Sequence, residues 1–274
     1  MIPLSNPHTH TVYVDGKDTP EALVQAALAE GFVSLGFSEH AAQSFDTFYS
    51  LNAEREKQYI GDVLALQSKY KGRIAIYLGL ERDALSVAGR SQYEYIIGSC
   101  HYADKNGVRV AVDGDPAQLL EFVNTQLQGS GTALAEIYYR NISDYVFQYK
   151  PDIIGHFDLV AKHNGTLHLF DEKSPAYLRL AFDSMDKCIQ GCDLMEVNTG
   201  AMARSGALFP YPSMPLLRHW KTLGGRVILS SDCHNKAHIR FGFERSLALI
   251  REAGFKEIWY LNPQDGPLFI NAGL

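Results

Sequence analysis

Short apolar runs rich in β-branched and aromatic residues alternate along the chain with longer segments of helical period. No Pro/Ser-rich linker, low-complexity tract or fixed-period repeat interrupts them. The runs at 6–9, 34–38, 74–80, 95–100, 153–157, 194–198 and 226–231 predict strands, with 257–261 a candidate eighth. The clearest helix opens at Thr19, which offers a capping hydroxyl, continues with Pro20 at the first helical position and stops at Gly31. Helical period also covers 52–70, 116–128, 132–148, 175–189, 212–222 and 240–252, several with a proline near the start. Strand followed by helix, over and over, is the grammar of a parallel sheet wrapped by helices. An α/β barrel is therefore expected, with its chemistry where strands end and the following loops begin.

Composition narrows this picture. With 274 residues, 46% of them hydrophobic and 20% charged, the chain has material for a substantial core, and one domain spanning 1–274 is expected. Lysine and arginine total 25 against 31 acidic residues, a net charge of −6, and no basic block occurs, so no nucleic-acid partner held by bulk charge is expected. Apolar runs fall well short of the ~20 residues a bilayer span needs, and MIPLSNPHTH lacks a basic stretch followed by an apolar one. The expectation is a cytoplasmic protein with a small-molecule partner and no membrane association. Cys100, Cys188, Cys192 and Cys233 form no CxxC pair and are read as reduced.

Ten histidines ask for a chemical explanation, and their positions supply one. The first predicted strand ends in His8-Thr9-His10, and side chains two apart on a strand share a face, so both imidazoles can converge on one cation. The next strands end Ser38-Glu39-His40, Gly79-Leu80-Glu81, Ser99-Cys100-His101, His156-Phe157-Asp158, Glu196-Val197-Asn198 and Asp232-Cys233-His234. Each delivers a metal-type ligand at the same end, and a mixture of imidazole and carboxylate favours borderline cations. Cys100 and Cys233, one residue from ligand candidates, should face away as small buried hydrophobes. Asp15, in Val14-Asp15-Gly16-Lys17, reads equally as a surface turn. Glu39, Glu196 and Asn198 read as support rather than as ligands, and residues 54–57 as the wet face of a helix. His163, His168, His219 and His238 fall outside the set and are expected to face solvent.

The ordered motifs HTHT, SEH, GLE, SCHY, GHFD, EVN and SDCH, spanning His8 to His234, resemble the polymerase and histidinol phosphatase (PHP) family. The pattern is nearest to the branch acting on L-histidinol phosphate, in which HTHT is followed by a turn like the DGKDT of this chain. The resemblance implies a distorted (β/α)7 TIM-like barrel and a centre of two to three divalent ions, zinc, manganese or iron. His8, His10, Glu81 and Asp232 would hold the first ion, with Glu81 bridging to a second completed by His101 and His156. Asp15, His40 and His234 would hold the third. Arg204 looks like the family's phosphate-gripping arginine, and Lys162, in Ala161-Lys162, stands where the histidinol-phosphate branch tends to carry another.

The implied reaction is hydrolysis of a small phosphomonoester by a metal-bound hydroxide in a pocket whose cations outweigh the three carboxylates. Asp158 would orient a ligand imidazole or serve as acid to the departing alkoxide. Another small phosphomonoester or phosphotyrosine is the alternative substrate, with a nuclease further behind. A structural metal site would need only about four ligands, fewer than gather here.

Overall fold

The computed structural model describes residues 2–86 and 89–274. Eight parallel strands, β1 (Leu4–Asn6), β2 (Phe32–Phe37), β3 (Ala75–Asp83), β4 (Tyr95–Ser99), β7 (Ile153–Ile154), β8 (Leu194–Asn198), β9 (Arg226–Ser230) and β10 (Glu257–Leu261), lie side by side in chain order. The antiparallel β11 (Phe269–Gly273) follows at the edge, paired with β10. Between β4 and β7 a separate antiparallel hairpin, β5 (Tyr102–Lys105) and β6 (Val108–Ala111), stands off the main sheet.

The sheet closes. Beyond β1 and β9 the chain makes a parallel bridge from Thr9 to Cys233, with His10 N–H donating to the Cys233 carbonyl at 2.9 Å and Cys233 N–H to the His8 carbonyl at 3.0 Å. Seven strands thus form a ring at the end where their C-termini lie. At the other end β10 fills the gap. It pairs with β9 at Trp259, Leu261 N–H donates to Ser5 Oγ, and Ser34 Oγ donates to the Leu261 carbonyl. Both expectations hold, a seven-strand barrel and an eighth strand, because the eighth serves only one mouth.

Nine helices of the described residues accompany the strands: α1 (Pro20–Ala29), α2 (Ala53–Lys69), α3 (Pro116–Gln126), α4 (Gly131–Tyr149), α5 (Asn164–Leu167), α6 (Pro175–Cys188), α7 (Gly200–Arg204), α8 (Met214–Thr222) and α9 (Phe243–Glu252). Thr19 caps α1 as expected, its hydroxyl accepting from Ala22 N–H, and Asn52, Asp115, Ser130 and Ser174 do the same for α2, α3, α4 and α6. No helix of the described residues is long and apolar enough to cross a membrane.

Where boundaries differ from the sequence reading, local hydrogen bonding explains the shift. The first strand ends at Asn6 rather than Thr9, since Pro7 has no N–H to continue the ladder. The fifth predicted strand stops at Ile154 instead of 157, and His156 N–H goes to the Glu196 carboxylate at 2.6 Å. Helix α8 starts at Met214 rather than 212, because Ser213 keeps an extended backbone (ψ 157°) as its N-cap, with its N–H held by Asp158 Oδ2 at 2.9 Å. Gly242, at φ +76°, delays α9 from 240 to Phe243.

Tyr95 is the main filler of the barrel beneath the site. Its side chain is fully buried, and its hydroxyl donates to the carbonyls of Pro7 and Phe37, the former adjoining His8. A Cβ added at Gly36 or Gly79 would fall inside the phenol of Tyr95. Glycine is required at both for the ring to cross from β4 to β2 and β3. Gly79→Ala should therefore cost about 1–3 kcal/mol of stability, as overpacking does. Urea unfolding checks this, and an unchanged midpoint would contradict the packing.

Candidate metal centre

Glu81, near the C-terminal end of β3, sits 1% exposed in a ring of imidazoles. Its Oε2 lies 3.3 Å from His8 Nε2, 3.4 Å from His10 Nε2 and 2.9 Å from His40 Nδ1. On the other side Oε1 lies 3.0 Å from His156 Nε2 and 3.4 Å from His101 Nε2. One carboxylate therefore divides five imidazoles into two sets. Asp232 Oδ1 is 3.3 Å from His10 Nε2, 3.7 Å from His8 Nε2 and 3.4 Å from His234 Nδ1. Asp232 takes a left-handed backbone, φ +46°, as the chain leaves β9, a conformation that costs a non-glycine residue roughly 1–3 kcal/mol.

The third gathering is at the mouth. Asp15 Oδ2 lies 3.0 Å from His234 Nε2 and 3.8 Å from His40 Nε2, and Asp15 Oδ1 is 3.8 Å from His10 Nδ1. Asp15 does lie in a turn, residues 12–15, but Gly16 and Lys17 fold back so that their N–H groups reach the carbonyls of Thr11 and His234, and its carboxylate faces the cluster. All nine residues expected as ligands are thus brought to one place, and three subsets have ligand atoms within 4.8 Å of one another: His8, His10 and Asp232; His40, Glu81 and His101; His10, Asp15, His40 and His234.

This donor set fits divalent ions. His10 Nδ1, Asp15 Oδ1 and Glu81 Oε2 are buried with no hydrogen-bond partner among the described residues, and His8 Nε2 and His10 Nε2 face each other at 3.0 Å. Lone pairs aimed at lone pairs need a shared cation or a proton. The same tension shows in the acid–base balance. Burial would raise the Glu81 carboxyl, but His8, His40 and His101 hold it well below the usual range. Burial likewise opposes ionisation of Asp232, which Arg204 and His8 pull well below its ordinary value. On the imidazole side, burial lowers His10, yet its close carboxylate neighbours Asp232 and Glu39 and the charges of Asp15 and Glu81 lift it to about 10.

Other carboxylates hold the imidazoles in place. Glu196 Oε2 accepts from His8 Nδ1 at 2.9 Å and Ser230 Oγ at 2.7 Å, while its Oε1 accepts from His156 N–H and from Asn198 Nδ2. Glu39 supports Thr11 through its N–H and hydroxyl, and lies 3.7 Å from His10 Nδ1. Asp83, passed over in the sequence, accepts from His101 N–H at 2.6 Å and lies 3.3 Å from His101 Nδ1. Its signal was the two-residue spacing from Glu81 along one strand.

A cavity of about 610 Å³ opens above the cluster, lined among others by Arg204, Lys162, Asp113, Gln43 and Tyr102. Arg204 Nη2 donates to Asp232 Oδ2 at 2.8 Å, and Nη1 donates to the Asp232 carbonyl and lies 2.8 Å from His234 Nδ1. Lys162 Nζ donates to the Asp113 carbonyl at 2.8 Å. Asp158 departs from expectation. It does not line the cavity, its Oδ2 takes Ser213 N–H, and His156 Nδ1 has no partner among the described residues, so Asp158 orients no imidazole. Burial pushes its carboxyl up to about 6. Of the four remaining histidines only His168 is exposed. His219 stacks on Phe182 and meets Asp186 at 2.8 Å, and His163 and His238 are half-buried. Cys100 and Cys233 are buried and free, as read.

The sequence profile of the PHP domain matches residues 6–200. A probable histidinol-phosphatase of Deinococcus radiodurans is 28% identical over 97% of this chain and 100% of its own length. The histidinol-phosphatase of Bacillus subtilis is 26% identical over 88% of this chain and 97% of its own. Among solved structures, the histidinol phosphate phosphatase of Lactococcus lactis, complexed with zinc, L-histidinol and phosphate, superposes with a TM-score of 0.71 at 23% identity, covering 94% of this chain and 96% of that one.

Removing a carboxylate that orients a metal-binding imidazole typically weakens binding ten- to a hundredfold. Asp83→Asn and Glu196→Gln should each reduce zinc or manganese affinity by about that factor, measured by calorimetric titration of the stripped protein. Unchanged affinity in both would sink the supporting role.

Proposed function

The chain belongs to the PHP domain family, and on that premise we propose that it is a divalent-metal-dependent phosphomonoesterase converting L-histidinol phosphate to L-histidinol and phosphate. The observation that carries the reading is Glu81, whose two oxygens face separate sets of imidazoles and so suit a carboxylate shared between two ions. His8, His10, Glu81 and Asp232 would hold the first ion, Glu81 with His101 and His156 the second, and Asp15, His40 and His234 the third. When bound, such ions acidify water for attack on phosphorus and neutralise the phosphoryl oxygens. The relatives named for this activity cover nearly the whole chain, and the zinc, histidinol and phosphate of the Lactococcus lactis complex support the choice of substrate and of metal class.

The chain's own residues account for the rest. Arg204 presents a guanidinium beside Asp232 and His234, where it adds positive charge and N–H donors for phosphate oxygens. Lys162 supplies a second cation, held at the cavity wall by Asp113. Glu196 fixes His8 through Nδ1, leaving Nε2 aimed at Glu81 and His10. Asp158, outside the cavity and engaged with Ser213, anchors the loop before α8 and takes no part in proton transfer.

Purified protein offered histidinol phosphate, p-nitrophenyl phosphate, a phosphotyrosine peptide and single-stranded DNA should release phosphate from the first with a kcat/KM roughly a hundredfold above the others. Chelation should abolish release, and zinc or manganese should restore it. Comparable turnover of p-nitrophenyl phosphate and histidinol phosphate would defeat the substrate assignment. His8→Ala and Asp232→Ala should each abolish turnover with an unchanged circular dichroism spectrum, and retained activity in either would defeat the metal assignment.

A further inference from the structure

Arg204 is the last residue of α7, and in a helix a long side chain leans back over the residue four positions before it. That residue is Gly200. A Cβ there would stand 2.8 Å from Asp232 Oδ2 and 2.9 Å from both Nη atoms of Arg204, so the guanidinium passes where any other residue would carry a side chain. The start of the turn is fixed as well. Asn198, the last residue of β8 and 1% exposed, accepts from Gly200 N–H through Oδ1 at 2.8 Å. Its Nδ2 donates to Glu196 Oε1 at 2.8 Å and to Asp232 Oδ2 at 3.3 Å. Tyr211 holds its main chain from the other side, accepting from Asn198 N–H at 2.7 Å and donating back to its carbonyl at 2.9 Å.

We propose that Asn198 and Gly200 are positioning residues for Arg204, a role that rests on the phosphate-ester chemistry of the reading above and deepens it. Asn198 sets where the turn begins, and Gly200 leaves room for the guanidinium to fold back onto Asp232. Nη1 donates to the Asp232 carbonyl and Nη2 to Oδ2, which pins the outer end of a rigid planar fork. The Nε–H has no acceptor among the described residues, and Arg204 lines the cavity, so the pinned fork keeps a donor for a phosphate oxygen. The same contacts occupy Asp232 Oδ2 and leave Oδ1 to His8, His10 and His234. An amide suits position 198 because it offers N–H groups to two carboxylates and an oxygen to Gly200.

The test is a double-variant cycle, read by calorimetric titration of inorganic phosphate into the zinc-loaded protein and by turnover of L-histidinol phosphate. Arg204→Ala should weaken phosphate binding roughly ten- to a hundredfold, the worth of a hydrogen bond to a charged group. Gly200→Ala should weaken it roughly tenfold, at the lower end of the same range, because the added methyl displaces the guanidinium. In the Arg204→Ala background, where no guanidinium remains to displace, Gly200→Ala should change phosphate affinity by less than about twofold. Asn198→Ala, which frees the Gly200 N–H, should show the same coupling to Arg204. Zinc content and thermal melting establish that each variant is loaded and folded. Losses carried undiminished into the Arg204→Ala background by both variants overturn the positioning role, as does wild-type phosphate affinity in both single variants. Phosphate bound by the wild type without turnover of L-histidinol phosphate overturns the substrate reading and leaves the positioning intact. A wild type that binds no phosphate overturns both.

Discussion

One main-chain bridge, from Thr9 to Cys233, both closes the barrel and assembles the site. Its two residues are the middle members of His8-Thr9-His10 and Asp232-Cys233-His234, whose flanking side chains meet on one side of the bridge, Asp232 through its left-handed backbone. Thr9 and Cys233 are buried with the packing, while the four flanking groups turn to the interior of the mouth. A second parallel bridge joins His40 to Glu81 by the same means. Main-chain hydrogen bonds therefore bring donor atoms from strands far apart in the sequence to within a few ångströms. A cluster with so many lone pairs repels itself, and the closed sheet pins it together with the carboxylates that brace its imidazoles.

Closure depends in turn on what fills the barrel below. Tyr95 spans the interior and ties itself to Pro7 and Phe37, next to the first ligand pair and at the end of β2. The fully buried Glu196 does the same from β8, joining His8, His156 N–H and Ser230. Rigid sheet, bulky phenol and buried carboxylate form a continuous support under the histidines, so that their positions follow from the core and not from flexible loops.

The site was more legible in the sequence than the elements that carry it. Strand ends are marked by residue type, and a histidine or carboxylate at the same end of strand after strand is a pattern that survives errors in strand length. Boundaries rest on single hydrogen bonds, such as Ser213 to Asp158 or His156 to Glu196, whose partners lie tens of residues away and leave no local trace. Asp158 shows the opposite hazard: adjacency to His156 in sequence suggested a partnership that the turn after Ile154 takes apart. The hairpin β5–β6 did leave a trace, Asn106-Gly107 at its tip with both residues at positive φ, the two-residue turn that such hairpins favour. Asp83 was marked as well, by the alternation that exposed Glu81.

That hairpin shares no ladder with the barrel and is held by side chains and by Val112 N–H, which donates to the His101 carbonyl at 2.8 Å. Tyr102 packs edge-on against Phe45, Arg109 lies over the same ring, and Tyr102 donates to Asp46. Exchanges at the hairpin's Asn106-Gly107 tip touch no strand pairing of the barrel. Variation in this excursion between β4 and β7 can therefore reshape one rim of the cavity, where Tyr102 and Ala111 stand, while the paired strands beneath stay as they are.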